Sequence, residues 1–467
     1  MKLSKLSIPY RAVNSAVKLA AVALFTSTGG LQQLNFLGGA LVFFAVLGLS
    51  AVYSYLYWRN FEFSFSEDSV NIRHGVIRRN EREIPLSRVQ NVDVNRNLIH
   101  RILGIAVVKL ETAGGKTTEA SFKYINLEQS EDIKKIIREK KSKASEEDEE
   151  EDDERELLYS IDKSELLLLG ATSIDERVVF LLLGLTGFSA TSFAPVLDEA
   201  NVALVPGLSL VLFLGLIIVF ATNFVSTVTR YYDYRLWREK DTLEYERGLF
   251  NRSEGSIPLG KLQKLVIEDN PLKRVIDRAS LSIETAGYSQ QTTSEKGPEL
   301  AIPLSTRKRI IEFSEEIDNV EKFELEKIPE RGLKRYFTRY MILSGIICLG
   351  LYFGAGYFSY ILPVVLLIAS GLAASLKWVH KGYAETENHF VARNGFWKRE
   401  TVIVPYYRTQ NVITTSTVSQ RLWDLSTVTV DIAGSSLIGG DARAVDLDVK
   451  QARKLAGRLH SKFQNSL

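Results

Sequence analysis

Hydrophobic and polar positions fall into long blocks along this chain. No Asp, Glu, Lys, Arg or His occurs from Tyr340 through Leu376, a run of 37 residues. One membrane-crossing helix needs about 20 residues at ~1.5 Å rise. The run is therefore too long for one such helix and suits two, with Gly354, Gly356 and Pro363 marking the break. The stretch from Val178 to Thr229 repeats the design, uncharged except for Asp198 and Glu199 near its middle. At the N-terminus Leu34 to Trp58 is a convincing span, and Ala12 to Thr28, interrupted by Lys18, is its partner. The pattern predicts six helices in three hairpins, since core helices of soluble proteins seldom run so long without charge.

Between the hairpins the period changes from helical to alternating. Phe61, Phe63 and Phe65 alternate with polar residues, Val70 and Ile72 follow a turn, and Ile105 to Thr112 is rich in β-branched residues. Gly114-Gly115 marks a hairpin turn before a strand at Thr117 to Tyr124, and a helix follows from about Leu127 with Ile133, Ile136 and Ile137 on one face. The C-terminal helix is plainer, with Ala452, Leu455, Ala456, Leu459 and Phe463 at helical spacing. Six or seven antiparallel strands closed by one helix is the plan of a pleckstrin-homology (PH) domain.

The alternating segments repeat in register. Gly75, Pro85 and Gln90 in the first copy correspond to Gly248, Pro258 and Gln263 in the second and to Gly395, Pro405 and Gln410 in the third. Glycine to proline is ten residues and proline to glutamine five in every copy. Arg101, Arg274 and Arg421 each lie 16 residues after the proline; Gly114, Gly287 and Gly434 lie 29 after it, ending ETAG, ETAG and DIAG. Asn91 and Asn411 follow the glutamine, but the second copy has Lys264 there, and Gly260 stands where the others have Ser87 and Tyr407. Proline can set a bend before a strand and glutamine can tie down backbone at that bend, so these residues read first as fold determinants and second as a binding face.

Charge adds direction. The predicted hairpin tips at 29–33, 198–204 and 354–361 hold no Lys or Arg, whereas fourteen, from Lys2 to Lys381, flank the opposite ends. The positive-inside bias then puts both termini and all three modules in the cytoplasm. Tyr53, Tyr55, Tyr57 and Trp58, and later Tyr231, Tyr232, Tyr234 and Trp237, suit an interfacial belt. The formal net charge of +2 rises to +11 without the nine acids of residues 146–154, where 58 basic residues face 47 acidic ones. That acidic run has nothing apolar to bury and reads as a spacer. Arg78, Arg79, Arg82, Arg88, Arg96 and Arg101, with Arg252, Lys261, Lys264, Lys273 and Arg274 and then Lys398, Arg399, Arg408 and Arg421, suggest a basic face toward anionic lipid in each copy.

Two helices, a sheet, the G-x9-I/V-P-x4-Q signature and the ETAG-type strand resemble the bacterial PH-like repeat of YdbS/YdbT-type membrane proteins; three copies, with the Leu166–Ser173 segment, resemble the YdbT type. The resemblance implies a multi-pass protein of the cytoplasmic membrane with cytosolic PH-like modules. It also implies a link to resistance against envelope-active peptides and a separately encoded small YdbS-like partner. The expected architecture is an α+β membrane protein of three repeats, each a transmembrane hairpin followed by a PH-like small sheet or barrel closed by a C-terminal helix. Its boundaries are a first hairpin at 1–59, PH-like domain 60–142, acidic linker 143–177, second hairpin 178–229, PH-like domain 230–323, basic linker 324–339, third hairpin 340–379 and PH-like domain 380–467.

Candidate chemistry is sparse. Cys348 is the sole cysteine and the five histidines are scattered, so no metal site or cofactor is expected. Gly115-Lys116-Thr117 lacks the earlier glycine of a phosphate loop, since residue 110 is Leu, and Gly434-Ser435-Ser436-Leu437-Ile438-Gly439 lacks nucleophile-elbow spacing. His100 aligns with Lys273 and Gln420 and is expected at the surface. The reading is a non-enzymatic scaffold binding protein or anionic lipid, with no nucleic-acid partner for want of stacking aromatics or a recognition helix. Its rival is a transporter or exporter of lipids or toxic peptides, which would need ionisable residues in the helices that the chain almost lacks.

Overall fold

A computed structural model describes residues 2–26, 36–66, 69–112, 120–144, 155–173, 204–285, 299–355, 361–432 and 441–466. The first copy begins with helices α1 (Ser7–Thr26) and α2 (Phe36–Arg59), followed by β1 (Glu62–Phe65), β2 (Ser69–His74), β3 (Asn80–Pro85), β4 (Val89–Arg96), the short α3 (Leu98–Ile102), β5 (Ile105–Thr112), β6 (Ala120–Asn126) and α4 (Leu127–Ala144). The second comprises β7 (Glu156–Ser160), α5 (Lys163–Thr172), α6 (Leu204–Tyr231), β8 (Arg235–Glu239), β9 (Thr242–Arg247), β10 (Arg252–Pro258), β11 (Leu262–Asp269), α7 (Pro271–Val275), β12 (Arg278–Thr285), β13 (Glu299–Thr306) and α8 (Arg307–Asp318). The third comprises β14 (Glu326–Lys327), α9 (Glu330–Ala355), α10 (Ile361–Val379), β15 (Gly382–Glu385), β16 (His389–Asn394), β17 (Arg399–Pro405), β18 (Thr409–Thr415), α11 (Val418–Arg421), β19 (Leu425–Ile432), β20 (Ala442–Asp448) and α12 (Val449–Ser466).

The alternation in sequence becomes burial of one face. Phe61, Phe63, Val70, Ile72, Val108 and Leu110 join Ile133 and Ile137 of α4 in one core, and Phe390, Val404, Val428 and Val430 join Ala452, Leu455 and Leu459 of α12 in another. Each copy nevertheless departs from a single curled sheet. The proline ends the third strand, a 3-10 turn follows (Leu86–Arg88, Leu259–Lys261, Tyr406–Arg408), and the next strand enters a different sheet. Proline supplies no N–H at that corner, which favours ending one ladder before the next begins.

The sheets therefore run between copies. β1-β2-β3 is a three-stranded sheet; β4 pairs with β10 in the sheet β6-β5-β4-β10-β9-β8-β7; β11 pairs with β17 in β13-β12-β11-β17-β16-β15-β14; and β18-β19-β20 is again three-stranded. The chain accordingly forms two compact units, residues 1–158 with 235–258 and residues 159–234 with 259–467, so the division cuts the second copy immediately after Pro258. The first unit contains the β4:β10 junction and the second the β11:β17 junction.

Within the first unit α1 and α2 are tied by Ser50 Oγ donating to the Ala12 carbonyl at 3.1 Å. Within the second, Ser344 and Ser370 hydroxyls join α9 to α10 at 2.9 Å. Gly170 lets α5 approach α6 closely, since a Cβ there would stand 2.9 Å from Phe224 and Val228 side-chain atoms. Among the described residues Phe213–Tyr231 is long and apolar enough to cross a membrane, and Pro363–Val379 is apolar but shorter. Of the six expected helices the one at 178–197 lies outside the described residues, as do the acidic run, the tip at 29–33, and residues 198–203 and 356–360 of the tips at 198–204 and 354–361.

Candidate functional site

Four of the repeated residues, Arg101, Gly248, Arg274 and Gly395, meet at the inter-copy junctions. Gly75, Gly248 and Gly395 have φ of +124°, +107° and +89°, and a Cβ on any of them would lie within about 2 Å of the carbonyl oxygen three residues on. After Gly248 and Gly395 the strand that follows this turn pairs with the preceding copy. Opposite it, Arg101 donates from a guanidinium nitrogen to the Leu249 carbonyl at 3.1 Å, and Arg274 donates to the Phe396 carbonyl. Leu249 and Phe396 are equivalent, each one residue past its motif glycine. Both repeated arginines thus hold the turn of the next copy.

Both junctions share one register. β10 meets β4 with Arg252 opposite Arg96, Ser253 opposite Asn95 and Glu254 opposite Val94. β17 meets β11 with Arg399 opposite Asp269, Glu400 opposite Glu268 and Thr401 opposite Ile267, the same positions after shifts of 147 and 173 residues. Ion pairs lock them. Arg96 binds Glu254 across the first, and Arg399 Nε lies 2.9 and 3.0 Å from the two oxygens of buried Asp269 across the second. Lys398 reaches Glu268 at 3.1 Å and Glu400 at 2.7 Å, and those carboxylates raise its affinity for a proton against the opposing effect of burial.

Much of the expected basic face is consequently spent inside the protein. Lys264 is buried against Glu284 at 2.7 Å, Lys273 is buried, and Arg96, Arg252, Arg399 and Arg408 have partners. Arg78, Arg79, Arg88, Arg101 and Arg421 remain exposed. Arg79, Arg252 and Arg399, each four residues past the motif glycine, repeat in all three copies, which was the available signal for the ion pairs of the third strand.

The glutamines do not share an environment. Gln263 is buried, its Oε1 without a hydrogen-bond partner among the described residues, whereas Gln410 is exposed because β18 lacks the neighbouring strand that covers β11. Asn411 is exposed, its amide 3.5 Å from Asp431. The backbones of Gln90 and Asn91 lie in β4, and Gly114, Gly287 and Gly434 fall outside the described residues.

His100 corrects an expectation, for it is buried rather than at the surface. Asn97 caps α3 by accepting from His100 N at 2.7 Å, which folds the imidazole under the turn, where burial lowers its proton affinity. Lys273 and Gln420 occupy the same buried place. Lys273 Nζ donates to Ser280 Oγ at 2.6 Å, and burial, partly offset by Glu268 and Asp269, pulls its pKa down to about 8. Gln420 donates to Thr427 and to Asp446 at 2.8 and 2.9 Å. An imidazole, an ammonium and an amide in one structural position share no common chemistry.

That position also links module to helix. Asn97 Nδ2 donates to Tyr10 Oη of α1 at 3.0 Å, and Tyr10 packs edge-on against His100 and Tyr124. Asn270 donates to the Thr172 carbonyl at the end of α5. In the third copy fully buried Asp446 accepts from Arg335 and Tyr336 of α9, with Lys381 Nζ 3.6 Å away, its pKa brought to about 8 by burial despite Asp446. Around these contacts each short helix leaves apolar side chains in the open: Leu98, Ile99 and Ile102; Leu272, Val275 and Ile276; Val418 and Leu422. No cluster of His, Cys, Asp or Glu suited to a metal occurs among the described residues.

Three modules, each of two antiparallel layers of three or four strands closed by a helix, joined by a repeated glycine–proline–arginine device, define a PH-domain array. The profile of the bacterial PH domain family matches residues 14–141, 178–320 and 342–463, and the chain belongs to that family. It is similar to the UPF0699 transmembrane protein YdbT of Bacillus subtilis (strain 168), 26% identical over 415 residues that cover 82% of each chain. No solved structure matches.

Proposed function

We propose that this chain is a non-enzymatic scaffold of the cytoplasmic membrane. Three helical hairpins embed it there, and its termini and three PH-like modules lie on the cytoplasmic side to bind protein and anionic lipid headgroups. The observation that carries the reading is the placement of the exposed apolar short helices at the feet of the helices that lead to the hairpins. Ile102 is 84% exposed, Val275 86% and Leu422 80%, and exposed Arg101 and Arg421 adjoin the first and the last. Apolar tips beside arginines suit the headgroup boundary, where a nearby cation contributes ~1 kcal/mol toward an anionic surface. The uncharged run 340–376, the apolar exposed side chains of α6 and the similarity to a protein named as transmembrane support the embedding. The resemblance to YdbS/YdbT-type proteins supports a small partner protein and a part in resistance to envelope-active peptides.

Dye-labelled single cysteines at Ile102, Val275 and Leu422 in a Cys348→Ala chain, reconstituted in vesicles with brominated anionic lipid, test the docking. Quenching at these three positions and none at Lys308→Cys is expected; equal quenching everywhere, or none, refutes it. Impermeant thiol reagents on intact cells test orientation: cysteines at 200 and 358 should react, and cysteines at 308 and 458 should be protected. Movement of peptide or lipid along a gradient in the same vesicles would favour the exporter instead.

A further inference from the structure

Each junction within the chain uses one receiving strand and one receiving arginine. β4 takes β10 while Arg101 takes the Leu249 carbonyl; β11 takes β17 while Arg274 takes the Phe396 carbonyl. The third copy retains the receiving parts, and no strand among the described residues fills them. β18 is the edge of its sheet, exposed at Gln410, Asn411 and Ile413 to Thr415. Ile413 is 42% exposed where its equivalent in β11, Val266, is 5% exposed. Arg421 is exposed, and its guanidinium has no partner among the described residues. Edge strands are ordinarily blunted by charge or proline. The Thr409–Thr415 strand, TQNVITT, contains neither, although β11 carries Lys264, Glu268 and Asp269.

The first copy presents the complementary surplus. β3 is the edge of its own sheet and is exposed at Asn80 to Glu83 and at Pro85, while its equivalent β17 is buried at every position but one. Its motif glycine and the following residue, Gly75 and Val76, repeat those that present Leu249 and Phe396.

We infer that β18 and Arg421 form a strand-acceptor site whose occupant is β3 of a second copy of this chain, joined head to tail. The inference rests on the scaffold reading and gives its modules a partner. The shared register places Asn80 of one copy opposite Thr415 of the other, Glu81 opposite Thr414 and Arg82 opposite Ile413, with Arg421 donating to the Val76 carbonyl. Main-chain bonds along an open edge supply the attraction, and the arginine clamp sets the register. Such a contact is heterologous, so it propagates into rings or rows of copies.

Two full-length chains with different tags test the site, both carrying Cys348→Ala, one with Asn80→Cys and the other with Thr415→Cys, reconstituted together and oxidised. A disulfide-linked heterodimer is expected, with a much lower yield for Asn80→Cys against Ile413→Cys, two residues out of register. Arg421→Ala in the acceptor chain should weaken association about tenfold, the loss typical of a charge-assisted hydrogen bond, and Arg421→Lys should recover part of it. Arg79→Cys with Ser416→Cys tests the same register should the first pair fail to accumulate. No linkage with either pair overturns the inference. So does linkage within a single chain carrying Asn80→Cys and Thr415→Cys, or capture of a different protein at Thr415→Cys. Lipid quenching at Ile102, Val275 and Leu422 is read separately, so cross-linking lost with quenching intact sinks the strand exchange alone.

Discussion

Asp269→Ala should be the most damaging single change at a junction. Asp269 is 6% exposed and sits among three guanidinium groups, with Arg399 Nε at 2.9 Å, Arg274 at 3.5 Å and Arg307 at 3.6 Å. Removing the carboxylate leaves three buried or half-buried cations facing one another, and breaking a buried pair in this way costs about 3–5 kcal/mol. At roughly 2–4 °C per kcal/mol for a unit of this order of size, the midpoint of thermal unfolding should fall by about 6–20 °C. Arg399→Leu should cost less, because Arg274 and Arg307 still neutralise the carboxylate. Combining the two changes should recover part of the loss, giving a coupling energy of about 2–3 kcal/mol. The assay is thermal unfolding of the purified chain in detergent followed by tryptophan fluorescence, with Trp397 two residues from Arg399 as a local reporter. A shift for Asp269→Ala corresponding to less than ~1 kcal/mol, or single changes that simply add, would refute the assignment of Asp269 as the charge holding this junction.

Two further outcomes follow from the same geometry. Gly395→Ala should destabilise by about 1–3 kcal/mol, because φ is +89° and the new methyl would stand 2.0 Å from the Lys398 carbonyl oxygen, while Gly260→Ala, with open space around it, should change stability little in the same denaturant titration. His389 is buried with its ring nitrogens 3.1 Å from Glu321 and 3.2 Å from Asp318; burial lowers its proton affinity, but the two carboxylates outweigh it and the net pKa is raised above 6.5. The protonated form is therefore favoured by folding: the stabilisation is complete below the unfolded value near 6.5 and disappears as pH rises through the higher folded value. Unfolding midpoints measured across that window should fall for the native chain and stay flat for His389→Gln; parallel curves would remove the histidine from the account.

Local periodicity already disclosed most of the element content. A strand half buried in a sheet shows period two, as in Phe61, Phe63 and Phe65, and a helix packed on a sheet shows its stripe, as in Ala452, Leu455 and Leu459; both patterns report burial of one face, a local property. Fixed spacing of Gly75, Pro85, Gln90 and Arg101 across three copies likewise disclosed a repeated unit and the residues that matter to it. What the spacing could not carry was the identity of the partner strand. Pairing of β10 with β4 joins residues such as Glu254 and Val94, 160 apart, and an edge reads the same in sequence whether its neighbour belongs to the same copy or the next. The corner at the motif proline separates the halves of a copy, and the choice of sheet then depends on where the adjacent copy presents an edge. Burial of His100 beneath its capped turn, and the withdrawal of Arg399, Lys264 and Lys273 from the surface, were decided at that level too. A charged residue announces its charge in sequence, but whether a carboxylate waits opposite is settled only when distant strands meet.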